Sequence, residues 1–140
     1  TADPVTHRKL VERLVGKILK NSEEIVDYES YNVDKCEMGI ISFGCTSRTV
    51  YEATELAEKE GIDTGFIRLK TVWPFPEKIV KRMAKTAKVV FVPEMNLRQV
   101  FYEVQRVVGD RVRVVPVNKI GGGEMITPEE LLAAVEKERR

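Results

Sequence analysis

Histidine is nearly absent from this sequence. The one residue, His7, sits beside Arg8 and Lys9 in a stretch of helical periodicity. With a single imidazole, neither a Ser-His-acid triad nor a His-rich metal centre has its parts, and a solvent-facing His7 is the plain reading. Cysteine is scarce as well. Cys36 and Cys45 form no C-x-x-C pair and are too few for a zinc or iron–sulfur centre. We read both as reduced thiols of a cytoplasmic protein. No run is long and apolar enough to span a membrane, and no stretch has the pattern of a signal peptide. Charge of one sign is lacking too: the formal net charge is +1, without the basic excess of a nucleic-acid binder. Neither a Walker loop nor G-x-G-x-x-G occurs. The sequence therefore predicts no catalytic residue, no metal ligand and no cofactor bound by this chain alone. Thr1 stands where an initiator methionine is missing, as expected of a piece of something longer.

What is present reads as one folded unit. The 140 residues are 43% hydrophobic and 32% charged, a globular composition long enough to bury a core without disulfides or metal. Asp3-Pro4 starts a helix, Asp as cap and Pro as first helical residue. Leu10, Val11, Leu14, Val15, Ile18 and Leu19 then recur at helical spacing to about Lys20. Arg8, Lys9, Arg13, Lys17 and Lys20 give it a basic side, which is either a solvated face or a docking face for an acidic partner. Ile25–Val33 holds at most a short edge strand. We take residues 1–34 as linker helix and connection, and residues 35–140 as the main domain.

In that domain strands and helices alternate. Met38–Phe43 is a buried strand, and Ser47–Glu60 a helix stopped by Gly61. Phe66–Leu69 lies in the second strand, and Pro76 opens the next helix. Lys88–Pro93 is the third strand. Asn96 to Gln99 reads as a capping box, with Leu97, Val100, Phe101, Val104, Val107 and Val108 as the stripe that follows. Arg111–Val117 is the fourth strand, Gly121–Gly123 a loop, and Thr127-Pro128-Glu129-Glu130 a second capping box before the last helix. Crossovers of this length make neighbouring strands parallel, and apolar strands imply a sheet covered on both faces. The fold class predicted is α/β, a three-layer Rossmann-like sandwich with a mainly parallel sheet.

Open sheets of this kind bind ligands or partners at the carboxyl ends of their strands. Gly44, Thr46 and Ser47 are candidates for an anion site there, or simply a tight turn in which Thr46 or Ser47 caps the helix. Gly121–Gly123 could cradle phosphate, but the adjacent Glu124 argues against it. Glu94 is either a surface carboxylate or an interdomain hydrogen-bond acceptor, and Asn96 a cap. Trp73, Pro74 and Phe75 either cover the sheet edge or anchor another domain, since aromatics dominate such contacts. The interface candidates are thus Trp73, Pro74, Phe75, Glu94 and Asn96.

Several strings resemble one family. Leu69-Lys70-Thr71-Val72-Trp73-Pro74-Phe75-Pro76 resembles the "L-x-T-x-W-P-F-P" segment of 2-oxoacid:ferredoxin oxidoreductase α subunits, and Val92 through Gln99 their "E-x-N-x-G-Q" segment. Asn118 through Glu130 resembles their "G-G…I-T-P-E-E-I" close. Gly44 with Thr46-Ser47 matches the glycine and small hydroxyl after their first strand, and Pro4 through Leu14 the helix joining their two α-subunit domains. Arg98 stands where a glycine is common in the family. The likeness runs across nearly the whole chain and is nearest to the 2-oxoglutarate type.

The resemblance implies the transketolase-C-like second domain of the α subunit. It implies a parent complex that turns a 2-oxoacid and coenzyme A into acyl-CoA and CO2 while reducing ferredoxin. Thiamine diphosphate, Mg2+ and iron–sulfur clusters would be that complex's cofactors, held on other domains or chains. The implied partners are the thiamine-binding N-terminal α domain, the β subunit and ferredoxin-linked subunits, with coenzyme A a further candidate, and neither nucleic acid nor membrane. Two other readings compete: the equivalent domain of transketolase or of a 2-oxoacid dehydrogenase β chain, and a stand-alone module for a phosphate-bearing ligand.

Overall fold

The computed structural model describes residues 3–139; Thr1, Ala2 and Arg140, the outermost residues of the two expected segments, lie outside them. Helix α1 spans Pro4–Lys20 as expected. The Asp3 carboxylate accepts from the amides of Val5 (3.3 Å) and Thr6 (2.9 Å), supplying two of the acceptors a helix start lacks. No α1 residue is buried. The short helix α2, Ser22–Ile25, leads into strand β1, Tyr28–Tyr31.

Four further strands follow: β2 Met38–Phe43, β3 Thr64–Leu69, β4 Val89–Glu94 and β5 Arg113–Asn118. Between and after them lie α3 Thr46–Lys59, α4 Glu77–Met83, α5 Gln99–Val108 and α6 Pro128–Arg139. The sheet order is β1-β3-β2-β4-β5. All pairings are parallel except β1 with β3, where Tyr28 lies opposite Leu69 and Tyr31 opposite Phe66. The expected edge strand is therefore real, and it joins the sheet from within the segment read as a linker.

Alternation along each strand builds two cores. Met38, Ile40, Val89 and Phe91 pack beneath α3 and α6 with Val50, Ala53 and Leu131. Ile41, Ile67, Val90 and Val92 pack beneath α4 and α5 with Val80, Met83 and Val104. The three-layer α/β sandwich with a mainly parallel sheet is confirmed. Close approach demands glycine at position 65: a Cβ there would lie 2.9 Å from the Asn32 carbonyl oxygen and 2.8 Å from the Cys36 Cβ.

Predicted helix ends hold where the signal is local. Thr127 and Glu130 form the reciprocal box, Glu130 accepting from the Thr127 amide (2.8 Å) and Thr127 Oγ1 from the Glu130 amide (3.3 Å). Gly61 follows α3 at φ +68°, the left-handed conformation that favours glycine. At α3 itself the expectation needs correcting. Neither Thr46 nor Ser47 caps it: Cys45 occupies the cap position without a side-chain hydrogen bond.

The edge strand β1 is clamped by polar side chains. Glu29 accepts from the Tyr51 hydroxyl (2.5 Å) and pairs with Lys70 (3.2 Å) and Arg68 (3.3 Å). The Tyr51 hydrogen bond, then Lys70, lowers the Glu29 carboxyl from 4.5 to about 2. Because the folded value lies below the ordinary one, this cluster favours the folded state fully above about pH 4.5, and the contribution drains away as pH falls toward 2. Tyr51→Phe is expected to raise the titration midpoint of Glu29 and to speed amide exchange in β1 at mildly acidic pH, both measurable by NMR. Unchanged β1 exchange would show that the backbone ladder alone holds the edge.

Candidate functional site

Since β2 through β5 run parallel, their carboxyl ends and the loops that follow share one rim of the sheet. The Asp27 carbonyl accepts from the Lys70 and Thr71 amides (3.1 and 3.0 Å), so the α2–β1 connection reaches the same rim. Strand β2 is flanked by β3 and β4, and the connections leave in opposite directions beside it, which is where such sheets open a crevice. There Cys45 Sγ lies 3.6 Å from Met95 Sδ. Gly44 turns the chain at φ +61° and is exposed. The two hydroxyls expected beside it are spent internally: Thr46 Oγ1 donates to the Phe43 carbonyl (2.8 Å) and Ser42 Oγ donates to Ser47 Oγ (3.2 Å). Both residues are buried. The geometry of Gly44–Ser47 is thus that of a tight strand-to-helix turn.

Glu94 and Asn96 are brought together at the start of α5. Glu94 is completely buried, and its two carboxyl oxygens accept from the amides of Val100 (2.8 Å) and Phe101 (2.9 Å) at the start of α5. It is a remote cap, and both expected places, surface carboxylate and interdomain acceptor, are corrected: the side chain is buried and its oxygens accept from amides of its own domain. Asn96 Oδ1 accepts from the Gln99 amide (3.1 Å), while its carbonyl accepts from Asn118 Nδ2 (3.0 Å). The capping box predicted here also needs correction, because Gln99 is the first helical residue and not the third.

Arg98 explains the delayed start. It is left-handed, φ 69° and ψ 42°, a conformation costing about 1–2 kcal/mol for a residue with a Cβ. Helix α5 buries Val100, Phe101, Val104, Val107 and Val108, each worth ~1.5–3 kcal/mol, so packing easily carries the strain. The Arg98 guanidinium also lies 5.8 Å from the Phe101 ring centroid. Arg98→Gly is expected to leave stability within about 1 kcal/mol, relief of strain offsetting lost chain stiffness and the cation–π contact. Arg98→Val should cost a further ~1–2 kcal/mol, because branching at Cβ fits this conformation worst. Urea unfolding of both variants checks this; a valine variant as stable as the glycine one would contradict it.

The interface candidates after β3 divide. Trp73 is 56% exposed, Pro74 is buried and Phe75 is half-buried against the α4/α5 core. The Trp73–Pro74 peptide bond is cis. A groove of about 740 Å³ runs from Leu19 and Val26 to Trp73, Phe75 and Arg106. Its charged side chains are mutually paired, Glu77 with Lys81 (2.7 Å) and Arg106 (2.9 Å), and Lys78 with Glu23.

Sequence reasoning missed the rest of the rim. Leu97, counted in the α5 stripe, lies outside the helix and is 71% exposed; Ile120 is 64% and Met125 47% exposed. Val72 is exposed beside Trp73. Thus every connection after β3, β4 and β5 presents a large apolar side chain to water. Their position in the loops that follow strands was the available signal, but the same loops send Phe75 and Ile126 into the two cores, so position alone does not separate exposed from buried side chains. Among the described residues no three His, Cys, Asp or Glu side chains converge as a metal site. Cys36 is fully buried, and burial pushes its thiol up. A four-cysteine cluster does not fit this chain.

The doubly wound sheet with an antiparallel edge strand, its parallel strands ending on one rim, puts the chain in the class of α/β domains that share their fold with transketolase. The solved split-gene transketolase, in its inactive β4 tetramer, shares the fold with a TM-score of 0.66 at 20% identity, over 78% of this chain and 40% of that one. Within that class the chain belongs to the pyruvate:ferredoxin oxidoreductase core domain II family, whose model matches residues 36–131. It is 48% identical over 132 residues to the 2-oxoglutarate synthase subunit KorA of Methanocaldococcus jannaschii, covering 94% of this chain and 35% of that protein. The KorA subunit of Methanothermobacter marburgensis is 42% identical over 131 residues, 94% of this chain and 35% of that protein. The chain thus spans about a third of the length of these relatives. A solved 2-oxoglutarate:ferredoxin oxidoreductase from Magnetococcus marinus, with 2-oxoglutarate, coenzyme A and succinyl-CoA bound, covers 100% of this chain with 24% of its own, at 25% identity and a TM-score of 0.81.

Proposed function

We propose that this chain is the assembly and active-site-support domain of a 2-oxoacid:ferredoxin oxidoreductase α subunit. The observation that carries the proposal is the rim: Trp73, Leu97, Ile120 and Met125 expose apolar surface at one end of the sheet. Exposed apolar surface gathered in one region marks a contact site. The occupant is the thiamine-binding N-terminal α domain together with the β subunit, and α1, with no buried residue, lies along the junction. Ferredoxin-linked subunits complete the complex in the cytoplasm.

The substrate is a 2-oxoacid, 2-oxoglutarate or a close analogue, as in the names of the KorA relatives. In the complex the carboxyl carbon leaves as CO2, the acyl group passes to the coenzyme A thiol, and the electron pair left behind reduces ferredoxin. Thiamine diphosphate with Mg2+ supplies the carbanion chemistry, and iron–sulfur clusters the electron path. The residues of this chain act by shape: they hold neighbouring domains in register and narrow the approach to the site. Gly44–Ser47 is the place where coenzyme A could meet this domain, through exposed backbone at Gly44 and not through the committed hydroxyls. A transketolase or dehydrogenase β-chain role is disfavoured by the 48% identity to a 2-oxoglutarate synthase subunit.

The test compares the purified chain with the reconstituted complex for coenzyme A-dependent reduction of ferredoxin by 2-oxoglutarate. Turnover only in the complex is expected. Reduction by the chain alone, or a complex equally active without this domain, would overturn the proposal.

A further inference from the structure

We draw no further inference here: the strongest candidate, the apolar face of α1 around Leu10 and Leu14 with its flanking cations such as Arg13 and Lys17, is left uncovered in the fold, and nothing in the structure shows what covers it beyond the domain contact already proposed.

Discussion

Trp73→Asp is expected to abolish or severely weaken assembly of the oxidoreductase while leaving this domain folded. Trp73 is more than half exposed, so its replacement removes little buried surface, and exposed substitutions usually shift stability by no more than about 0.5 kcal/mol. At a contact the same side chain counts far more. Truncating an anchoring tryptophan costs about 2–4 kcal/mol of association, roughly 30- to 1,000-fold in affinity, and a carboxylate placed there adds an unpaired buried charge. Ile120→Asp, on the loop after β5, should act in the same direction. The measurements are the thermal midpoint of the isolated variant and co-purification of the complex by size-exclusion chromatography. Normal assembly by both variants would place the contact surface elsewhere.

The second large effect is internal. Glu94→Ala removes both acceptors at the start of α5 and leaves the Val100 and Phe101 amides without partners in a fully buried position. Each buried donor left unsatisfied costs ~1–3 kcal/mol, and a cavity is added. A loss of about 3 kcal/mol is expected, on the order of 10 °C in thermal midpoint for a domain of this length. Glu94→Gln, which keeps one acceptor but turns an amide donor toward an N–H, should fall between alanine and the parent. A change below about 0.5 kcal/mol for Glu94→Ala would mean that water or the neighbouring Asn96 takes over the cap.

These two residues also show how far the sequence could be read. Periodicity located the four parallel strands and the helices between them, because an apolar strand between turn residues and a helical stripe are local signals; the polar edge strand β1 carries no such pattern, and Ile25–Val33 promised at most a short strand. The Thr127–Glu130 box was legible for the same reason. Glu94 was not. Its partners lie six and seven residues ahead, across a loop whose shape depends on a left-handed Arg98, and nothing in the residue type announces that conformation. Leu97 was assigned to the wrong surface because a helix starting two residues later turns it out of the stripe. Thr46 and Ser47 resembled an anion cradle by position, yet their hydroxyls found acceptors and donors within the fold first. That the loops share one rim was legible, because parallel pairing follows from the crossover lengths; which of them are neighbours needed the strand order.

Hydroxyl-radical footprinting of the isolated chain and of the intact oxidoreductase, read by mass spectrometry at Trp73, Leu97, Ile120 and Met125, meets the central claim most directly. Oxidation of all four in the isolated chain, strongest at Trp73 and Met125, and marked protection in the enzyme are expected, with Glu58-bound Tyr31, which lies away from the rim end of β1, serving as an internal reference. Equal oxidation of the four side chains in both forms would contradict it.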